Sequence, residues 1–126
     1  MTAVADSAII LFAHGARDPQ WAEPFQRIRE QVKALRPGVP VALAFLELME
    51  PGLVECVADL AAQGVRKMTL VPLFMAQGGH LKKDLPLLVK ALQVDHPGVT
   101  IQVTPAIGES AMLLAAIAAW VVQQSA

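Results

Sequence analysis

The chain has 126 residues, a single cysteine, 55% hydrophobic residues and a formal net charge of −1. That length fits one domain over residues 1–126 and buries a core without staples. A lone cysteine excludes an internal disulfide, and residues 1–6 show no basic, apolar leader, so a reducing cytoplasmic setting is expected. The near-neutral charge gives the whole surface no pull on nucleic acid or anionic membranes, so any anionic ligand needs a local cationic patch.

In chain order, residues 7–13 are an apolar run predicted as the first strand, ending at His14-Gly15-Ala16-Arg17-Asp18. A helix is predicted over 19–35, with Asp18 as N-cap and Pro19 in its first turn. Arg36-Pro37-Gly38 stops it. A second strand follows over 39–46, then a helix over 51–63 closed by Gly64. The helical pattern around Cys56 makes that residue a small core group rather than a nucleophile. A third strand covers 67–74. A helix covers 80–94, with Pro86 expected to divide a short first turn from the rest. His96-Pro97-Gly98 is a turn that leaves His96 on the surface. A fourth strand spans 99–103 and a last helix 110–124, with Ser110 as N-cap. Within that helix, 111–122 is apolar all round. It is too short to cross a bilayer, which takes about 20 residues, so burial on more than one side is expected, in part by a second copy.

Four strand–helix units with short links predict a three-layer α/β fold with a four-stranded parallel sheet and right-handed crossovers. In that wrapping the first and third strands are neighbours, and ligands bind outside the carboxyl ends of strands where the strand order reverses. His14 and His80 both fall there. A lone histidine at a strand end more often bonds a backbone group. Gly15, and the pair Gly78-Gly79 with its freedom for positive φ, instead leave these two imidazoles uncovered. Neutral imidazole is a common ligand for divalent transition metals. Two such ligands without a further cysteine or histidine describe a transient site with open positions. Glu47, after the second strand, is a candidate third ligand or proton acceptor, with a solvated carboxylate an equal alternative. Arg17, Lys82 and Lys83 are either solvated charges or a cationic rim for a carboxylate-rich ligand. Asp84 is a candidate partner for one of the lysines. Phe12, Phe45 and Phe74 read as core, with Phe74 near enough to the crevice to face a ligand as well.

These segments together resemble the small CbiX-type chelatases of siroheme and cobalamin biosynthesis. The resemblance rests on His14-Gly-Ala-Arg-Asp-Pro19, on Ala44-Phe-Leu-Glu-Leu48 with Pro51 after it, and on Val71-Pro-Leu-Phe74 followed by Gly78-Gly-His80 and Asp84-Leu-Pro86. It covers residues 9–107. It implies a flavodoxin-like, class II chelatase fold and insertion of cobalt(II) or iron(II) into the eight-carboxylate tetrapyrrole sirohydrochlorin; imidazole ligands would suit nickel(II) as well. The family's two metal-binding histidines carry over onto His14 and His80, and its glutamate onto Glu47. Longer relatives hold two such domains, and short ones act as homodimers. Ala16 stands where many members have serine, and the segment Ile107-Gly-Glu-Ser110 lacks a histidine often found there.

The resulting expectation is a lyase-type chelatase in which His14 and His80 hold the metal and Glu47, or one of the same histidines, accepts a pyrrole proton. Arg17, Lys82 and Lys83 then orient carboxylates, while Phe74, Gly78 and Gly79 line the ring. With no Walker sequence and no Gly-x-Gly-x-x-Gly turn, no ATP and no organic cofactor are expected. Three rivals remain open. They are a siroheme ferrochelatase, a non-catalytic metal or tetrapyrrole carrier, and a flavodoxin-like module with structural histidines.

Overall fold

The computed structural model describes residues 6–125. Strands β1 (Ser7–Ala13), β2 (Val41–Phe45), β3 (Lys67–Pro72) and β4 (Thr100–Val103) form one parallel sheet in the order β2-β1-β3-β4. Helices α1 (Glu23–Leu35), α2 (Leu53–Ala62), α3 (Gly79–Asp95) and α4 (Ala111–Gln124) alternate with them. The expected four-stranded parallel α/β fold is present, and β1 and β3 are adjacent, with Ile10 opposite Leu70.

The topology follows from handedness. The step from β1 to β2 runs one way across the sheet, and the steps to β3 and β4 run the other. Right-handed crossovers then put α1 on one face and α2 and α3 on the opposite one. Side-chain alternation fills both. Ile10, Phe12, Met68 and Leu70 meet Val57 and Leu60 of α2 and Val89 and Leu92 of α3. On the other face Leu11, Val41, Leu43 and Phe45 meet Trp21, Phe25 and Val32. Phe12, Phe45 and Phe74 are all core residues, as expected, and Cys56 is buried. No polar or charged side chain among the described residues is buried. Groups able to do chemistry therefore stand at the rim.

Three details differ from the sequence reading. The first helix is divided: a 3-10 turn, Pro19–Ala22, precedes α1. Asp18 does cap it, accepting the Gln20 N–H at 2.9 Å. Pro24 has no N–H to return to Gln20, so an α-helix starting at Pro19 would lack that bond. Conversely, Pro86 divides nothing, and α3 runs through it unbroken. Pro86 and Lys82 are both exposed, so water can serve the carbonyl that the proline leaves unbonded.

The third difference is larger. The last helix was expected to be buried on more than one side. Instead every residue of α4 is exposed, Met112 at 78% and Trp120 at 61%. Pro105 and a 3-10 turn, Ile107–Glu109, lead the chain away from the sheet, and α4 meets the body through that turn. Ser110 caps α4 as predicted, accepting the Leu113 N–H at 3.3 Å. No helix of the described residues is long and apolar enough to cross a membrane.

Burial, aided by the nearby Asp59 carboxylate, raises the Cys56 thiol to about 11 from its ordinary 9.0. The neutral thiol is the form the core holds, so its contribution to stability is present below pH 9 and is lost as pH rises through about 11. Folded protein at neutral pH should react with a thiol reagent far more slowly than urea-unfolded protein. Comparable rates, followed by absorbance of the released chromophore, would show that Cys56 is not enclosed.

Candidate functional site

The register of β1 and β3 continues past their ends: the Leu73 N–H donates to the Phe12 carbonyl at 2.8 Å. His14 leaves the sheet just beyond β1 and is exposed. Its ring lies 4.3 Å from that of Phe74, tilted by 43°. Phe74 packs edge-on to Phe12, with centroids 5.6 Å apart. An aromatic column thus runs from the core to the surface and ends in an imidazole. Phe74 is only 1% exposed. The ring-facing role expected of it gives way to a supporting one beneath His14.

Gly15 has φ +94°, where a side chain is strained. A Cβ there would also overlap the Glu47 carbonyl oxygen. The close approach is held by two hydrogen bonds, Leu46 N–H to the Ala13 carbonyl at 2.8 Å and Glu47 N–H to the His14 carbonyl at 3.0 Å. Glu47 lies beyond β2, with its backbone fastened to the His14 loop and its side chain exposed. Among the described residues no three His, Cys, Asp or Glu side chains group into a metal-holding cluster, so Glu47 is not poised as a third ligand beside the two histidines.

His80 is the second residue of α3 and is exposed. Gly78 caps that helix with φ −66°, and neither Gly78 nor Gly79 takes the positive φ that the pair allows. A Cβ on either would meet open space. The pair provides room beside His80, as expected. The first N–H groups of α3 point outward there, and the positive end of the helix dipole favours anions. Arg17, Lys82 and Lys83 are exposed. Among the described residues the ion pairs all lie on α1, so neither these three cations nor Asp84 is neutralised by a neighbour. Two clefts flank the histidine loops. One, of about 320 Å³, is lined by Ala16, Arg17, Leu48 and Met49. The other, of about 390 Å³, is lined by Gln77, Lys82, Pro86, Val103 and Glu109.

Sequence reasoning missed Gly108. Its N–H donates to the Phe74 carbonyl at 3.0 Å, and a Cβ would overlap the Met75 backbone. The turn before α4 therefore braces the chain that leads from Phe74 to His80. The sequence offered one signal, a glycine between the fourth strand and the N-cap of the last helix.

The CbiX family profile matches residues 8–124. The chain belongs to the CbiX family. It is 37% identical over 82 residues to a sirohydrochlorin cobaltochelatase of Methanopyrus kandleri, covering 65% of this chain and 57% of that protein. It is 36% identical over 78 residues to one of Methanosarcina acetivorans, covering 62% and 60%. The chain thus spans about three fifths of the length of these curated relatives. Among solved structures, a putative cobalamin biosynthesis CbiX protein of Marinobacter aquaeolei superposes with a TM-score of 0.83 at 39% identity, over 94% of this chain and 96% of that one. SirB of Bacillus subtilis subspecies spizizenii, a sirohydrochlorin chelatase in complex with cobalt, matches with a TM-score of 0.73 at 25% identity, over 84% of this chain and 45% of that one. These neighbours carry the same class II chelatase fold.

The glycine geometry makes a contrast. Gly15→Ala should lower the unfolding free energy by about 1–3 kcal/mol through positive-φ strain and overlap. Gly79→Ala, with an ordinary φ and open space, should be neutral or stabilise by less than about 1 kcal/mol. Urea unfolding of both variants checks this, and equal losses would mean that Gly15 is not locked against Glu47.

Proposed function

We propose that this chain inserts a divalent metal, cobalt(II) first, into sirohydrochlorin, without ATP and without an organic cofactor. It does so as one chelatase domain over residues 1–126, in the cytoplasm and as a homodimer. The observation that carries this reading is the placement of His14 and His80 at the carboxyl edge of adjacent strands in a chain of the CbiX family. The curated relatives are named for cobalt and a SirB neighbour was solved with it. A second SirB structure, with Fe3+, favours iron as the alternative metal.

In this reading the imidazoles of His14 and His80 hold the incoming metal through nitrogen atoms, leaving its other positions to water and then to the ring nitrogens. Two neutral ligands bind loosely enough to release the ion. The tetrapyrrole lies over them, its peripheral carboxylates meeting Arg17, Lys82, Lys83 and the N–H groups at the start of α3. Gly78 and Gly79 give the ring room, and Phe74 keeps His14 in place. Two pyrrole protons must leave as the metal enters. Exposed Glu47, tied through its backbone to the His14 loop, accepts one, or a histidine freed of metal does, and the other passes to solvent water at the exposed edge.

His14→Ala and His80→Ala should each slow cobalt insertion by more than about 100-fold, since even residues that only orient a metal ligand are worth 10–100-fold. Both side chains are exposed, so circular dichroism should be unchanged. The assay is single-turnover absorbance of sirohydrochlorin with cobalt(II). A folded variant with the parent rate removes that histidine from the mechanism. Stoichiometric metal uptake without turnover by the parent would identify a carrier instead.

The double variant Lys82→Glu and Lys83→Glu should raise the dissociation constant for metal-free sirohydrochlorin at least tenfold while changing cobalt binding little. Its effect should shrink at high salt, where exposed charges are screened. Unchanged tetrapyrrole affinity would place the cationic rim elsewhere.

A further inference from the structure

The segments that leave the carboxyl edge follow the strand order β2-β1-β3-β4. Along that row stand Glu47, His14, His80 and Glu109. The two inner segments carry the histidines, and each outer one carries a glutamate. Each histidine segment is also bonded to its outer neighbour. The Glu47 N–H donates to the His14 carbonyl at 3.0 Å, and the Gly108 N–H, one residue before Glu109, donates to the Phe74 carbonyl at 3.0 Å. Glu109 is therefore the counterpart of Glu47 on the His80 side. It is exposed, and it shares the cleft of about 390 Å³ with Gln77 and Lys82, which bracket His80 in sequence. Leu85, Pro86 and Val103 give that cleft apolar walls. One carboxylate oxygen of Glu109 accepts the Ala106 N–H at 3.2 Å and closes the turn. A carboxylate offers about four acceptor positions. Among the described residues no other hydrogen bond and no ion pair occupies the rest. The group is held at one oxygen and open at the other.

We propose that Glu109 is a second catalytic carboxylate, which accepts the pyrrole proton that leaves on the His80 side. This rests on the proposed chelatase function and extends it, since the proton bound for solvent water goes by way of Glu109. At that ring nitrogen the N–H bond breaks. Its electron pair stays on nitrogen and becomes the bond to the metal. The proton moves to the open oxygen of Glu109 and from there to water, so no oxidant, reductant or nucleotide is consumed. Two acceptors on opposite flanks of the histidines let both protons leave while the imidazoles stay with the ion. Glu109 does not group with the histidines into a metal-holding set among the described residues, so it can take a proton without closing the metal's coordination sphere. Lys82, in the same cleft, offsets the repulsion between Glu109 and the peripheral carboxylates of the ring.

Closing the turn needs only an acceptor oxygen, whereas taking a proton needs a basic one. Glu109→Gln separates the two, because its amide oxygen still accepts the Ala106 N–H but takes no proton. Single-turnover cobalt(II) insertion into sirohydrochlorin is followed for the full-length wild type, Glu109→Gln and Glu109→Ala. Urea unfolding and the dissociation constants for cobalt(II) and for metal-free sirohydrochlorin are measured beside it. Glu109→Gln should keep the parent's stability and both constants, yet slow insertion at least about tenfold, below the usual range for a general base because water takes over as acceptor. Glu109→Ala should be slowed as much, and added acetate, a small external base, should restore part of its rate while leaving the wild type unchanged. A parent-like rate in Glu109→Gln beside a less stable Glu109→Ala would make the carboxylate a turn cap alone and overturn the proposal. A loss in Glu109→Gln that lies wholly in weaker tetrapyrrole binding overturns it too. Both results leave the chelatase function standing, because the wild type still turns over. Wild-type protein that takes up cobalt but never inserts it sinks the chelatase function and the role of Glu109 together.

Discussion

The parallel ladder that pairs Ser7–Phe12 with Lys67–Pro72 sets the position of everything that follows. Because β1 and β3 are neighbours at the point where strand order reverses, two loops distant in sequence leave the sheet side by side. The ladder is fixed by packing. A slip of one residue would turn Ile10 and Phe12 out of the cluster they share with Met68 and Leu70, exchanging the contents of the two faces. Each large apolar side chain buried there is worth about 1.5–3 kcal/mol, so a slipped register would forfeit several such contributions. The same register stacks Phe74 on Phe12 and under His14. The imidazole at the rim inherits its position from the core.

The second constraint is the fastening of loops to each other. Gly15 passes so close to Glu47, and Gly108 to Met75, that only glycine fits at either place. Each contact joins the end of one strand to the loop beyond another. The His14 loop is thereby held by the loop after β2, and the approach to His80 by the turn after β4. Binding groups on loops gain precision when their backbones are bonded to neighbours. Here that precision comes from main-chain hydrogen bonds and not from buried polar side chains, of which the described residues have none.

How much of this was legible in the sequence depends on the range of the physics. Ser7–Ala13 was read to the residue, because an apolar strand bounded by polar groups is a local pattern. Asp18 and Ser110 were found as caps for the same reason. The two histidines were placed on one edge because handedness rules join local patterns into a topology. Errors came where a local signal met a longer-range one. Pro86 read as a break, but its lost hydrogen bond lies on an exposed face of a helix that Leu85, Val89 and Leu92 hold to the sheet. Gly78-Gly79 was read as uncovering His80, and open space does surround the pair, although neither glycine uses the freedom for positive φ. Gly108 was invisible because its reason is a contact with Met75, far away in the chain. The apolar character of α4 was read correctly, but a one-dimensional pattern says that a surface must be covered and not by what.

Under the proposed function, a site of this design suits transfer better than storage. A structural metal site closes all four positions with side chains and takes its rigidity from that closure. Here two imidazoles stand at an exposed edge, with no third side chain of metal-ligating type grouped beside them among the described residues. Most of the coordination sphere is therefore left to exchangeable ligands. In the proposed reaction the cost of shedding water would be met stepwise, each water replaced by a ring nitrogen while the histidines keep the ion in position. The charges agree with such a sequence. Arg17, Lys82 and Lys83 are not ion-paired among the described residues, and they are exposed within three residues of one histidine or the other in sequence. In a protein of net charge −1, such cations would, under the proposed function, attract a polycarboxylate without adding a fixed anion that would bind the metal too tightly to release.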